Sequence, residues 1–246
     1  MKAIFLALQE QNTHRWSPVA RVVKERGVYK LAYTRGAKDV TGFNGFGRMN
    51  QLEREYTSEE LFPLLQNRVL PRTRPEYNEY LKWLGLTETD HDALEELSRT
   101  GGLRATDSIE LIPCPERNSQ NLYEAFFFVR GIRYFPTDVE LNTRQLKAGD
   151  RLFLMKDVQN EHDSAALLLR TGEPISLVGY APRYYSEDFS HLASGACARD
   201  VEVVVDRVNS HAPLPYRVLC RISAPWPSLF AACRSEKFQL ISGVQH

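Results

Sequence analysis

Apolar residues follow a two-residue rhythm near the start of this chain, a helical rhythm after it, and a two-residue rhythm again in the second half. Ile4 to Leu8 and Val19 to Tyr33 read as strands. The second folds back at Lys24-Glu25-Arg26-Gly27, which puts Tyr29, Leu31 and Tyr33 on one face of a hairpin arm. Thr57-Ser58-Glu59-Glu60 has the form of a capping box ahead of Leu61, Phe62, Leu64 and Leu65, so a helix is expected there. Thr73-Arg74-Pro75-Glu76 repeats the device before Tyr77, Tyr80, Leu81 and Leu84, with Pro75 in the first turn and Gly85 as the stop. A third helix is expected over Asp90 to Arg99, ending at Gly101-Gly102. Gly42-x-x-Gly45-x-Gly47 could pass for a phosphate loop, but no Gly-Lys-Ser/Thr follows; a loop pinned by Phe43 and Phe46 is the better reading.

Phe126 to Val129 form an aromatic strand that stops at Gly131, and Gly149-Asp150 introduces a second strand from Arg151 to Met155. Ala165 to Leu169 and Ile175 to Tyr180 should pair as a hairpin across Thr171-Gly172-Glu173. After Pro182, the spacing of Tyr184, Phe189 and Leu192 predicts a helix over Arg183 to Leu192. Val201 to Val208 and Tyr216 to Ile222 alternate as two more strands, and Trp226, Phe230 and Phe238 are expected to pack over the barrel or between the halves. Gly101 to Asp107 reads as a linker, Ile109 to Ile112 as a strand, and the proline-bearing segment from Pro113 to Gln120 as the boundary. The fold class is therefore α+β, with one domain over 1–117, a small β-sheet with helices, and another over 118–246.

At 246 residues and 43% hydrophobic content, the chain can bury a real core. Its 31 basic and 31 acidic residues cancel, and they cancel within each half as well, which argues against strong non-specific duplex binding. Cys114, Cys197, Cys220 and Cys233 are far apart, as free thiols in a reducing, cytoplasmic setting would be. His162, His191 and His211 add no metal-ligand spacing to them. Met1 to Gln9 lacks a cleavage site, and no apolar run is long enough to span a bilayer.

The polar link Gln159-Asn160-Glu161-His162-Asp163-Ser164 joins two strands. Its plain reading is a turn in which Asn160 and Asp163 bond their own backbone. A ligand-binding reading gains from Arg133-Tyr134-Phe135, which sets a guanidinium beside two aromatic rings, a combination suited to a phosphate and a stacked base.

Gly131-Ile132-Arg133-Tyr134-Phe135, then Gly149-Asp150-Arg151-Leu152, Asn160 to Ala166, and Val178-Gly179-Tyr180-Ala181-Pro182 together resemble the HIRAN domain. That resemblance implies a small OB-like β-barrel with flanking helices that grips the 3′ end of single-stranded DNA. It implies that Arg133 contacts phosphate, that Tyr134 stacks on the terminal base, and that Asp163 accepts a hydrogen bond from the free 3′-hydroxyl. Asn160 would hold the loop or touch the sugar, with Phe135, His162 and Tyr180 completing the DNA-binding set. Where end-binding members carry Pro-Tyr between Asn and Asp, this chain has Glu161-His162, a smaller ring and an added negative charge.

Val28 to Tyr33 and Ser58 to Pro71 resemble the N-terminal subdomain of HipA-type toxin kinases, without a catalytic lobe. Two functions follow. One is a non-enzymatic binder of DNA 3′ ends; the other is an antitoxin-like subunit that holds a HipA-type kinase through residues 1–117. A nuclease using Glu161, His162 and Asp163 as metal ligands ranks last, since one short loop rarely converges three ligands on an ion. No cofactor is expected.

Overall fold

The computed structural model describes residues 3–9, 16–89, 91–104, 107–161, 163–194 and 198–242. Contacts divide the chain into two units. Met1–Tyr77, Asp90–Pro115 and Ala231–His246 form the first; Asn78–Thr89 and Glu116–Phe230 form the second.

The first unit is built on β1 (Ala3–Gln9), β2 (Trp16–Glu25), β3 (Val28–Tyr33), β4 (Tyr56–Ser58) and β5 (Ile109–Cys114). They form an antiparallel sheet in the order β4-β3-β2-β1-β5. Ala3 to Ala7 of β1 are all buried because the sheet is covered on both sides there. Ile4 and Leu6 join a core with Val22, Leu31, Leu65, Leu94 and Leu97. The ring of Phe5 meets Phe238 from the C-terminal segment edge-on at 4.8 Å. That segment also bridges Thr34 to Leu240, so Phe238 belongs to this sheet rather than to the barrel. The glycine loop is pinned as expected: Tyr33 gathers Phe43, Phe46 and Tyr56, and its phenol accepts from the Phe46 N–H at 2.9 Å.

The capping-box expectation at Thr57 is corrected. Tyr56–Ser58 is an edge strand, and only α1 (Pro63–Gln66) is helical. Pro63 is the physical reason: the residue before a proline is driven out of the helical region, and Phe62 has φ −54° and ψ 139°. The helix α2 (Tyr77–Leu84) starts just past Pro75. In α3 (Ala93–Thr100) Asp92 is the cap, accepting from the N–H groups of Leu94 at 2.9 Å and Glu95 at 3.3 Å. The expected start at Asp90 lies outside the described residues.

Within the expected linker Gly101 to Asp107, the residues around Gly102 and Asp107 are tied down, and Ala105 and Thr106 lie outside the described residues. Gly101 and Gly102 are buried, and the Arg68 guanidinium, almost fully enclosed, donates to Gly102 O at 2.6 Å and Asp107 Oδ2 at 2.5 Å. Nearby, buried Glu96 accepts from Leu70 N at 2.9 Å and meets His91 Nε2 at 2.6 Å. Burial alone would push the Asp107 carboxyl up, but the Arg68 donor, the Ile109 N–H and the guanidinium charge together hold it below its usual range.

The second unit adds β6 (Leu122–Phe128), α4 (Thr137–Thr143), β7 (Arg151–Lys156), β8 (Leu167–Arg170), β9 (Leu177–Tyr180), α5 (Ser186–Ser194), β10 (Glu202–Val208) and β11 (Val218–Pro225). The sheet order is β6-β11-β10-β7-β8-β9. Just past β6, Arg130 and Tyr180 exchange two backbone hydrogen bonds of 2.8 Å, an isolated bridge that brings the chain after the first strand against the last, so the sheet curls into a half-barrel. Together with the first unit's small sheet, this is the α+β architecture expected.

Successive phenylalanines in β6 are explained by cover on both faces. Phe127 packs against Phe189 and Tyr185, with centroids at 5.4 and 6.3 Å, while Phe128 meets Tyr216 edge-on at 5.4 Å. Tyr216 in turn stacks with Trp83 of α2, and Asn209 ties the two by donating to Trp83 O and Tyr216 O. Trp226 tilts against Tyr123 and donates to Phe230 O at 3.0 Å. The helix α4 was not anticipated; its seven residues make too short an apolar stripe to register as a period.

Closure depends on Gly179. Its φ is 149°, and a Cβ there would lie 2.4 Å from Val129 Cγ1 and 2.7 Å from Arg130 O. Gly179→Ala is expected to destabilise the barrel by more than about 1 kcal/mol, read as a shifted urea midpoint. In the first unit, the lowered carboxyl of Asp107 contributes stability above the ordinary aspartate range, lost as pH falls through its depressed value. Asp107→Asn should therefore flatten the acid limb of a stability-against-pH curve; an unchanged limb would mean that Arg68 holds this turn without the charge.

Candidate functional site

Barrel closure brings three separate segments to one rim. The first is the turn after β6, where Gly131 takes φ 71° and starts a single 3-10 turn over Ile132–Tyr134. Tyr134 is 73% exposed, its ring beneath the Arg133 guanidinium at 4.7 Å from the centroid. Phe135 turns the other way and is half-buried against Tyr180, with ring centroids 5.5 Å apart. Gly131 lies between the rings: a Cβ would sit 2.9 Å from Tyr180 Cδ2 and 3.7 Å from Tyr134 Cδ2.

The second segment is the β7–β8 connection. Asn160 works at both ends of its amide, donating to Asp157 Oδ2 at 3.2 Å and accepting from Asp163 N at 2.9 Å. Asp163 accepts from the Ala165 N–H through Oδ1 at 3.0 Å, while its Oδ2 lies 3.5 Å from Arg183 Nε. The plain turn reading is thus part of the geometry. Side-chain exposures of 19% for Asp163 and 45% for Arg183 leave this carboxylate–guanidinium pair open to solvent. Glu161 is exposed, and His162 lies outside the described residues.

The third segment supplies the joint. Tyr180, at the end of β9, donates from its phenol to Asp157 Oδ2 at 2.7 Å. This bond outweighs desolvation and, with the Asn160 amide and the Gln159 N–H, holds the Asp157 carboxyl below its usual range. Partial burial, then the same bond and the carboxylate's charge, push the Tyr180 phenol up. Tyr180 therefore stays a neutral donor and Asp157 a charged acceptor at neutral pH.

Six of the seven expected residues therefore belong to one contiguous set: Arg133, Tyr134, Phe135, Tyr180, Asn160 and Asp163. Two members were not foreseen. Asp157 could have been found from β7, whose odd positions Phe153 and Met155 share a face with it. Arg183, directly after Pro182, is a cation whose position opposite Asp163 depends on the barrel. Among the described residues, no group of three or more His, Cys, Asp or Glu side chains could hold a metal ion, and no helix is long and apolar enough to cross a membrane. Of the cysteines, Cys114, Cys220 and Cys233 are free, and burial pushes the Cys220 thiol up; Cys197 lies outside the described residues.

A curled antiparallel half-barrel, OB-like, with aromatic and carboxylate side chains along one rim is the class that fold and site define. Residues 122–227 match the family model described as the HIRAN domain, a stretch that runs from β6 to just past β11. Two solved structures are similar to part of the chain. A protein from Lactobacillus plantarum is 17% identical, with a TM-score of 0.34, over 41% of this chain and 89% of its own. The HIRAN domain of human HLTF is 13% identical, with a TM-score of 0.31, over 42% and 74%. No curated protein matches. The family match lies wholly outside residues 1–117 and lends nothing to the HipA-type likeness or to a kinase partner.

Asp157→Ala removes the acceptor that orients Tyr180 and the anchor of Asn160. The expected result is a locally loosened rim: faster amide exchange at Asn160 and Asp163, with the β6–β11 amides unaffected. Unchanged exchange at the rim would show that the turn holds without Asp157.

Proposed function

We propose that this protein binds the 3′ end of single-stranded DNA through its HIRAN domain, as a recognition module rather than a catalyst. The observation that carries the reading is the grouping of the rim: contacts run from Phe135 through Tyr180, Asp157 and Asn160 to Asp163 and Arg183, and the exposed Tyr134 precedes Phe135 in the chain. A ring is where a base stacks, and every base has a face to offer, so such a site tolerates any sequence. Guanidiniums at Arg133 and Arg183 suit the phosphates on either side of that base.

Asp163 supplies the selection for an end. An ionised carboxylate only accepts hydrogen bonds, so it welcomes the O–H of a free 3′-hydroxyl and repels a phosphate that continues or terminates the strand. Asp157 and exposed Glu161 strengthen that repulsion, while Arg183 limits it to the neighbourhood of the terminus. The charge balance of the chain is compatible with this mode, since one pocket needs few cations.

Fluorescence anisotropy with a 5′-labelled single strand tests the reading directly. Tighter binding to a free 3′-hydroxyl than to a 3′-phosphate is expected, with the difference abolished in Asp163→Asn; equal binding by the wild type removes Asp163 as the reader of the end. Tyr134→Ala should weaken binding by about 1–3 kcal/mol, the value of one base–ring stack. An unaltered affinity would leave Tyr134 as a packing residue under Arg133.

A further inference from the structure

The strand register carries the site beyond the rim. Met155 pairs with Leu168, and Leu168 with Tyr180, so these three side chains share one face of the sheet. Two residues back along β7, Phe153 pairs with Arg170 on the same face, and alternation adds Arg151. The opposite face holds Leu152 and Leu169, both buried, and is the barrel interior. The outer face thus presents Phe153 and Met155, 36% and 39% exposed, where an antiparallel strand ordinarily turns polar residues to water.

Two cations bracket that ring. The Arg170 guanidinium lies 4.9 Å and the Arg151 guanidinium 5.4 Å from the Phe153 centroid. Arg170 donates to the neighbouring Thr171 O at 2.8 Å, and neither guanidinium meets a carboxylate among the described residues. An exposed ring between two cations without acidic partners matches an anionic chain that carries flat bases; it does not match a merely apolar partner. From Tyr180 this patch is two strands across and two residues along, roughly 12 Å by strand spacing and rise.

We propose that the outer face of β7 and β8, centred on Phe153 and flanked by Arg151 and Arg170, is a second nucleotide subsite that carries the single strand on the 5′ side of the end held at the rim. A base stacks on Phe153 and the two guanidiniums take the adjoining phosphates. The inference rests on the end-binding reading, and its test separates the two.

The test compares a 5′-labelled thymidine dinucleotide with an octanucleotide, both with free 3′ ends, by anisotropy over a salt series. The wild type should hold the octanucleotide more tightly. Phe153→Ala should cost about tenfold on the octanucleotide, the size of one lost stack, and nothing on the dinucleotide. R151Q with R170Q should lower the salt slope for the octanucleotide by roughly 1.4, from about 0.7 per phosphate. If the octanucleotide gains nothing over the dinucleotide, or if Phe153→Ala leaves that gain intact, the face is a docking surface for something else and the proposal falls. Failure of the end reading looks different: free and phosphorylated 3′ ends bind alike while the Phe153 dependence persists. Failure of the subsite alone leaves the end preference in place with no dependence on Phe153.

Discussion

The pair of backbone hydrogen bonds between Arg130 and Tyr180 is the contact on which the second half of this protein depends. It brings the two ends of a curled six-stranded sheet together, and it does so beside Gly179, where no larger side chain fits. This pair sets position in space and, through the strand ends it fixes, the chemistry. Gly131 and Tyr134 leave the closure in one direction, and Tyr180 stands at it with its phenol across the sheet on Asp157. Without closure these groups would sit on opposite edges of an open sheet.

In the proposed site, the residues of the β7–β8 connection would serve as turn and binding surface at once. Asn160 and Asp163 spend part of their hydrogen-bonding capacity on their own backbone, as their types favour in any tight connection. A carboxylate has more lone pairs than a turn consumes, however, and the second oxygen of Asp163 faces Arg183 at the solvent boundary. The turn supplies rigidity, the barrel supplies the guanidinium, and the remaining acceptor capacity is what a ligand can meet. Preorganisation of this kind reduces the ordering cost of binding.

The first unit solves a different problem. Its sheet is apolar on both sides along β1, and the C-terminal segment returns to supply Phe238 as cover for Phe5. Its buried charges, Arg68 and Glu96, are not exposed for ligands but spent on backbone groups of turns: Gly102 O for one, Leu70 N for the other. Such enclosed ionic contacts specify how loops pack more than they add stability.

Much of the architecture could be read from the chain because it is written locally. Strand alternation, the hairpin at Arg26-Gly27, the stops at Gly85 and Gly101, and the aromatic pinning of the glycine loop each depend on neighbours within a few residues. The expected helix at Thr57 failed for a local reason as well, since Pro63 outweighed the capping pattern, and that residue was there to be weighed. The chain by itself therefore determined the α+β class, the strands of the barrel and six residue types at a rim, because side-chain periodicity and turn chemistry act at short range. Only the tertiary structure decided that Tyr180 meets Asp157, that Arg183 faces Asp163, and that Phe153 shares their sheet face. Those pairings follow from register and closure between segments far apart in sequence, and no local pattern encodes which strands will be neighbours.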